Sequence, residues 1–272
     1  MVRSLWTAAT GMIAQQTNLD TIANNLANVN TTGYKTQVNE FKSLLYQSIQ
    51  TRTTSANGEQ KPSGAQVGLG VRNASISSVF TTGNFLAAES DTAFALDGKG
   101  FFSVRGEDGN TYYTRNGNFK FTLAANGGNM LATSDGLPVM DSKGNPIILG
   151  QSYVASKITV SKNGEICYPD EKNNPQPIGI TIGVFQFNNP NGLEKLANGL
   201  YQQTAASGQP LNEATNNNLQ KTSVIQGYLE GSNVQVADEM VNMIVTQRAY
   251  ELNSKAITAS DEMLQQANNL RR

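Results

Sequence analysis

Few residues in this chain of 272 could carry catalytic chemistry. The sequence has no histidine, which excludes imidazole acid–base catalysis, a catalytic triad built on histidine and a histidine metal site. The one cysteine, Cys167, cannot form an intrachain disulfide, and its strand-like surroundings predict a small packed side chain. We therefore expect no metal, no cofactor and no enzymatic activity.

Two other patterns could in principle bind a nucleotide or a glycan. Gly68-Leu69-Gly70 could begin a dinucleotide-binding loop, but Asn73 stands where the third glycine belongs and no βαβ pattern surrounds it. Asp91, Asp97 and Asp108 could supply a pair of carboxylates for glycan chemistry. Aspartates in turn sequences usually bond the backbone instead, so we interpret these three as turn residues.

The composition excludes several classes of partner. Charged residues make up 15% of the chain and the net charge is −1, so no basic surface is available for nucleic acid. No apolar run approaches the roughly 18 residues of a membrane span, which predicts no membrane insertion. The N-terminus lacks the apolar segment of a cleavable signal peptide. We expect a cytosolic protein, or one exported without such a signal.

Both ends of the chain repeat apolar residues at heptad spacing, which predicts long helices that pack against other helices. The first helix is predicted from about residue 4 to 26, and the second after Ser232 or Asn233, either of which could cap it. The N-terminal positions are Leu5, Ala8, Met12, Gln15, Leu19, Ile22, Leu26 and Val29. The C-terminal positions are Val236, Met243, Tyr250, Ile257 and Leu264, with a second column at Ala249, Ala256, Met263 and Leu270.

The region between the helices is predicted to be β-rich. Eight of the nine Asn-Gly or Asp-Gly pairs lie between residues 97 and 199, and such pairs favour type I′ hairpin turns. Strand candidates are residues 101–104, 112–114, 119–122, 158–160 and 178–187. The fold class is therefore α+β, with a barrel-like or sandwich-like β domain inserted between terminal helices.

The predicted domain boundaries follow from these patterns. Residues 1–35 form the N-terminal helix region, 36–72 a linker, 73–226 the β domain and 227–272 the C-terminal helix region. Within the linker, Phe41, Leu44, Leu45 and Ile49 have helical spacing. Residues 50–64 have no apolar periodicity and are predicted to be a loop or an extended stretch.

Four motifs resemble those of the bacterial flagellar rod and hook family. They are NNLANVNTTGYK at 24–35, the segment 227–264 beginning GYLEGSN, DGKGFF at 97–102 and YTRNGNF at 113–119. Within the family the chain most resembles subunits of the distal part of the rod. Proximal rod and hook subunits are the alternatives, and a β-rich carbohydrate-binding or carbohydrate-active protein or an adhesin is a remote one.

The resemblance implies a structural subunit of a straight, hollow drive shaft that transmits torque from the motor to the hook. Terminal helices would form the inner layers and the β domain the outside, with Gln247, Asn253, Gln265 and Asn268 as candidates to line the export channel. Implied partners are copies of the chain itself, other rod subunits, the hook protein, the rings around the rod and, transiently, the flagellar type III export apparatus. The implied location is the basal body in the cell envelope or periplasm.

Two sets of residues are predicted to matter for this role. The expected assembly residues are Leu5, Met12, Leu19, Ile22, Leu26, Val236, Met240, Met243, Tyr250, Ile257 and Leu264. The family signature residues are Asn24, Asn25, Leu26, Asn28, Gly33 and Tyr34.

Overall fold

The computed structural model describes residues 2–50, 64–124, 127–150, 153–154, 157–170, 174–216 and 218–270. The chain forms two compact units. The helical unit comprises residues 1–27, 37–77 and 235–272, and the β unit comprises residues 28–36 and 78–234. Mixed α+β architecture with a helix near each end is thereby confirmed. The predicted boundaries differ from these units: most of the expected linker and residues 73–77 belong to the helical unit, whereas residues 28–35 and 227–234 belong to the β unit.

Two long helices dominate the helical unit. Helix α1 is Val2–Ala27 and helix α2 is Val236–Asn269, close to the predicted spans. The predicted caps are wrong, because Gln235 is the N-cap of α2 and makes no side-chain cap bond. Asn233 instead bonds residues 36, 79 and 81 of the β unit. Across the described residues, neither helix is long and apolar enough to cross a membrane.

A two-stranded ribbon completes the helical unit. Strand β1 (Gln37–Ser43) pairs with β4 (Val71–Ser78), and β2 (Tyr46–Gln50) pairs with β3 (Ala65–Gly68). Backbone bonds from Leu44 to Gly70 and from Leu69 to Leu45 join the two pairs. The helical spacing of Phe41, Leu44, Leu45 and Ile49 was therefore misleading, because a short apolar run fits a strand equally well. The expected loop at 50–64 lies almost wholly outside the described residues.

The β unit contains sixteen strands in several small sheets among its described residues. The six-stranded sheet has the order β16-β17-β8-β7-β15-β18, and two three-stranded sheets have the orders β11-β10-β9 and β12-β13-β14. Two pairs, β19-β6 and β20-β5, complete the unit. The strands are β5 Phe85–Ala87, β6 Phe94–Asp97, β7 Phe101–Arg105, β8 Thr111–Thr114, β9 Phe119–Leu123, β10 Asn129–Thr133, β11 Ile148–Leu149, β12 Thr159–Val160, β13 Glu165–Pro169, β14 Pro175–Thr181, β15 Val184–Gln186, β16 Glu194–Lys195, β17 Leu200–Gln202, β18 Leu211–Asn212, β19 Ser223–Gln226 and β20 Tyr228–Glu230.

None of these sheets closes into a barrel within the described residues, because each strand order ends in two edge strands. Four of the five strand candidates match observed strands closely. The fifth, residues 178–187, is divided between β14 and β15 around Gly183. A side chain at Gly183 would lie 2.7 Å from the carbonyl of Asp141 and from Ser103 Oγ, so the backbones approach too closely for one regular strand.

Strand β7 lies between two cores, which explains the consecutive phenylalanines of the DGKGFF motif. Phe102 and Val104 point into the larger core, and Phe101 points into a smaller aromatic cluster with Tyr113 and Tyr201. Side chains alternate between faces of a strand, so a strand buried on both faces needs apolar residues at successive positions. Cys167 is buried in β13, as predicted, and its burial raises the pKa of the thiol.

Turns in the β unit use glycine differently from the predicted type I′ geometry. Asn198 is the only described non-glycine residue with positive φ, so only the Asn198-Gly199 pair fits type I′. At Gly109, Gly136 and Gly164 the glycine N–H donates to the carbonyl three residues earlier. Only the glycine of these pairs has positive φ, which is the pattern of a type I turn followed by a glycine bulge.

Two glycines allow conformational strain to be separated from steric exclusion. At Gly136, φ is +83° with open space around the Cβ position, so Gly136→Ala should cost about 1 kcal/mol through backbone strain alone. At Gly117 a Cβ would collide with the carbonyl oxygen of Phe94 at 1.7 Å, so Gly117→Ala should be more destabilising by several kcal/mol. Urea unfolding of both variants tests this, and equal losses would contradict it.

Candidate assembly surface

Helices α1 and α2 pack antiparallel through a column of polar contacts, which we call the polar ladder. Its four rungs are spaced seven residues apart on each helix: Ser4 with Ser260, Gly11 with Asn253, Asn18 with Thr246, and Asn25 with Glu239. The Ser4 and Ser260 hydroxyls are 3.2 Å apart. Amide Nδ2 atoms donate to Thr246 Oγ1 at 2.9 Å and to Glu239 Oε1 at 3.3 Å. The heptad spacing is thus real, but one of its columns is polar.

Gly11 explains an apparent weakness in α1, because glycine lowers the stability of a helix interior. A Cβ at this position would lie 2.9 Å from Asn253 Nδ2, so the absence of a side chain lets the asparagine approach the α1 backbone. Asn253, an expected channel-lining residue, is therefore half-buried against α1. Gln247, Gln265 and Asn268 are exposed.

The expected assembly residues divide into two groups in the helical unit. Val236, Met240 and Tyr250 are 41%, 52% and 43% exposed. The others are buried or half-buried: Leu5, Met12, Leu19, Ile22, Leu26, Met243, Ile257 and Leu264. In the second predicted C-terminal column, Ala256, Met263 and Leu270 are exposed and Ala249 is half-buried.

Large apolar side chains cover the outer surface of the helix pair. On α1 these are Trp6 and Ile13, and on α2 they are Met240, Val241, Ile244, Val245, Leu252 and Met263, each at least half exposed. An exposed apolar surface of this kind is typical of a protein–protein interaction site. Sequence reasoning missed Val241, Val245 and Leu252 because they lie outside the two heptad columns that it followed.

Asn25 connects α1 to the ribbon within the helical unit. Its Nδ2 donates to the backbone carbonyl of Gln37 at 2.8 Å, and its Oδ1 accepts from the Gln37 N–H at 2.9 Å. The side chain therefore pairs with β1 as a neighbouring strand would. Of the other signature residues on α1, Asn24 is exposed and Leu26 is half-buried.

The remaining signature residues belong to the β unit, where they form a turn. Asn28 accepts from the Thr31 N–H and hydroxyl, and Tyr34 N–H donates to the Thr31 carbonyl. Gly33 has φ +72° and donates its N–H to the carbonyl of Glu230 at 2.8 Å. A Cβ at Gly33 would lie 2.8 Å from the backbone of Arg115, so only glycine fits this turn.

Glu230 also anchors this turn by its side chain, in an arrangement that we call the buried ion triad. Its carboxylate lies 2.6 Å from Lys35 Nζ and 3.4 Å from an Arg115 guanidinium nitrogen, and all three side chains are fully buried. The N–H of Gly83 donates to the same carboxylate. Three motifs far apart in sequence therefore meet at one acidic side chain, and no periodicity in the sequence signals that contact.

The two cations of the triad have further partners that offset the cost of burial. Lys35 Nζ donates to the carbonyl of Thr81 at 2.7 Å, and Arg115 donates to the carbonyl of Gly98 at 2.6 Å and lies over the ring of Phe101. Burial lowers the pKa of both Lys35 and Arg115, and the Glu230 carboxylate opposes that shift. The triad is a structural tie.

Comparison with known proteins assigns these motifs to one class. Residues 5–35 match the model "Flagella basal body rod protein", 95–168 match "Flagellar hook protein FlgE/F/G D1 domain" and 225–270 match "Flagellar basal body rod FlgEFG protein C-terminal". These models describe the rod and hook proteins of bacterial flagella.

Full-length relatives narrow the class to a family. Proteins named flagellar basal-body rod protein FlgG from Borreliella burgdorferi and from Buchnera aphidicola of Acyrthosiphon pisum are each 42% identical, over 100% and 99% of this chain and 100% of their own lengths. The chain belongs to this flagellar basal-body rod protein family. A crystal structure of the Helicobacter pylori flagellar hook protein FlgE2 aligns with 65% of this chain and with 47% of the hook protein's chain, at 15% sequence identity. The TM-score is 0.23, so this likeness carries no argument about the fold.

Neutralising Glu230 should destabilise the β unit strongly. Glu230→Gln would leave two buried cations without a counter-charge, which typically costs about 3–5 kcal/mol. The matched control is Glu251→Gln, because Glu251 pairs with Arg248 at 2.9 Å on an exposed helix face, where such pairs contribute about 0–1 kcal/mol. Urea unfolding followed by circular dichroism measures both, and similar losses in the two variants would refute the assignment.

Glu239 makes the helical unit sensitive to pH. Burial raises the pKa of its carboxyl, the bond from Asn25 opposes that shift and Asp238 adds to it. The protonated form therefore favours folding: this stabilisation is complete below the ordinary pKa of 4.5 and is lost as the pH rises through the raised value. Glu239→Gln should raise the melting temperature of the helices by a few degrees at neutral pH and leave it unchanged in acid. The same shift at both pH values would argue against this origin.

Proposed function

We propose that this protein is a structural subunit of the flagellar basal-body rod that acts by assembling with copies of itself rather than by catalysis. The observation that carries the proposal is its similarity, over the full length, to proteins named as basal-body rod proteins. Those names are structural, which agrees with the expectation that the chain is not an enzyme. The carbohydrate-active and adhesin alternatives have no support from these relatives.

The surface of the helical unit supports self-assembly. Val241, Val245 and Leu252 are each more than half exposed on α2, and Trp6 is 69% exposed on α1. Burying an apolar side chain of this size contributes roughly 1.5–3 kcal/mol, so neighbouring subunits could supply the stability that one copy lacks. The expected assembly residues Val236, Met240 and Tyr250 are also exposed on α2, on a different flank of the helix.

Within the rod, we assign the chain to the distal, straight part that connects the motor to the hook. A shaft that transmits torque must resist shear, and long helices in contact with many neighbours distribute that load. On this proposal the helices line the export channel, the β unit faces outward, and the hook protein, other rod subunits and the surrounding rings are neighbours. Passage through the flagellar export apparatus would place the subunit in the periplasm without a cleavable signal.

Electron microscopy of concentrated, purified protein tests the proposal. A distal rod subunit should give straight tubes, whereas a hook subunit should give curved ones. A protein that remains monomeric at all concentrations, together with a robust glycan-cleaving activity, would favour the alternative class and refute a structural role.

Two variants of α2 should separate folding from assembly. Leu252 is 66% exposed, so Leu252→Asp should leave the melting temperature within a degree or so while abolishing tubes. Ile257 is half-buried, so Ile257→Asp should both destabilise the helices by several kcal/mol and prevent assembly, because it places a charge in a mostly apolar contact. Leu264→Asp should behave like Ile257→Asp.

Thr258→Asp is the matched control, since Thr258 is exposed and polar on the same helix. Melting curves and sedimentation report the two properties separately. Normal tubes from Leu252→Asp would show that this surface is not an interface, and an unchanged melting temperature in Ile257→Asp would show that the residue does not stabilise the helix pair.

A further inference from the structure

A groove in the helical unit contains a buried amide without a partner. The groove has a volume of about 350 Å³ and lies where α1, β1 and the first half of α2 meet. Amides from three elements line it, Asn18, Asn39 and Asn242 among them. Asn39 is only 9% exposed, and its Oδ1 and Nδ2 atoms have no hydrogen-bond partner among the described residues.

Such an amide is costly in an isolated chain, because a buried donor and a buried acceptor that lack partners have lost water without compensation. The rim of the same groove is apolar and open: Val38 is 46% exposed, Phe41 39% and Val245 61%. An occupant that suits the groove must therefore offer both an amide or backbone polar group and an apolar side chain. Glu239 at one edge also favours a positively charged neighbour.

We infer that the groove binds the C-terminal end of α2 from a second copy of this chain, an inference that rests on the proposed rod function. Helix α2 continues for nine residues beyond the Ser4–Ser260 rung, and residues 265–270 are exposed. Their sequence, QQANNL, is rich in amides and ends in Leu270, which is 88% exposed. In the sequence two arginines follow, which complement the charge of Glu239.

The positions of groove and segment explain how this contact would extend a polymer. The polar ladder is antiparallel, so the C-terminal end of α2 lies beside the start of α1, whereas the groove involves α1 residues 15–22 and α2 residues 239–249. The two surfaces are therefore at opposite ends of the helix pair. A contact between two different surfaces does not close on itself in pairs, and each copy can receive one neighbour and engage another.

Disulfide trapping between two populations tests the contact directly. In a Cys167→Ala background, one population carries Asn242→Cys in the groove and the other carries Gln266→Cys in the segment. Oxidation of mixed, assembled protein should give cross-linked heterodimers, and neither population alone should cross-link. The control pair is Asn242→Cys with Thr258→Cys, because Thr258 is exposed and polar on α2 outside the segment, and this pair should give no comparable product.

Replacing the unpaired amide of Asn39 gives a second test, because the substitution should stabilise the unassembled protein and weaken its assembly. Asn39→Leu removes the unpaired group, so the melting temperature of the unassembled protein should rise, whereas the critical concentration for assembly should increase about tenfold with the loss of a hydrogen-bonded contact. Gln203→Leu, at an exposed position of the β unit, should change neither.

The outcomes separate this inference from the proposed function. Rods that form without the Asn242–Gln266 cross-link, or with an unchanged critical concentration for Asn39→Leu, would overturn the groove contact and leave the rod function standing. Cross-linking of Asn242→Cys to Thr258→Cys instead would identify a different occupant and would also overturn it. Failure of the parent protein to assemble at any concentration would overturn both.

Discussion

The carboxylate of Glu230 is the contact on which the β unit depends most. It holds Lys35 and Arg115 in a fully buried triad, while the backbone carbonyl of the same residue accepts from Gly33. The segment 28–36, the turn that follows β8 and contains Arg115, and the last strand of the unit are thereby fixed to one another. A buried ion pair stabilises only when its remaining polar atoms are bonded; here the carbonyls of Thr81 and Gly98 accept from the two cations, and Arg115 Nε is the one triad atom left without a partner among the described residues.

In the helical unit, two columns of one heptad pattern have different roles: one stabilises the contact between α1 and α2, and the other fixes their alignment. Apolar residues such as Ile22 and Ile257 supply buried area, whereas the polar ladder supplies directional bonds. The outer apolar face is left uncovered in a single chain. One copy is therefore a defined helix pair with a surface suited to further helix packing, as a subunit of a polymer requires.

Sequence alone predicted the elements that depend on local periodicity. Both helices were found from heptads, and the strands around Phe101, Tyr113 and Phe119 from apolar runs next to Asn-Gly or Asp-Gly turns. It missed what depends on contacts between distant residues. The stretch from Phe41 to Ile49 showed helical spacing although it belongs to β1 and β2, whose partners β4 and β3 lie further along the chain. Glu230 gave no signal because Lys35 and Arg115 are each more than a hundred residues away from it in sequence.

The polar ladder also limits how the two helices can change length. A slip of one heptad would keep apolar residues opposite apolar residues, yet it would place Gly11 opposite Ser260 or Thr246 and remove Asn253 from the gap that admits it. Hydrogen bonds that the correct alignment satisfies would then be lost at the other three rungs. An insertion or deletion in α1 is consequently tolerated only if it is a multiple of seven residues and α2 changes by the same number. The spacing of the ladder therefore couples the lengths of the two helices, although they lie at opposite ends of the sequence.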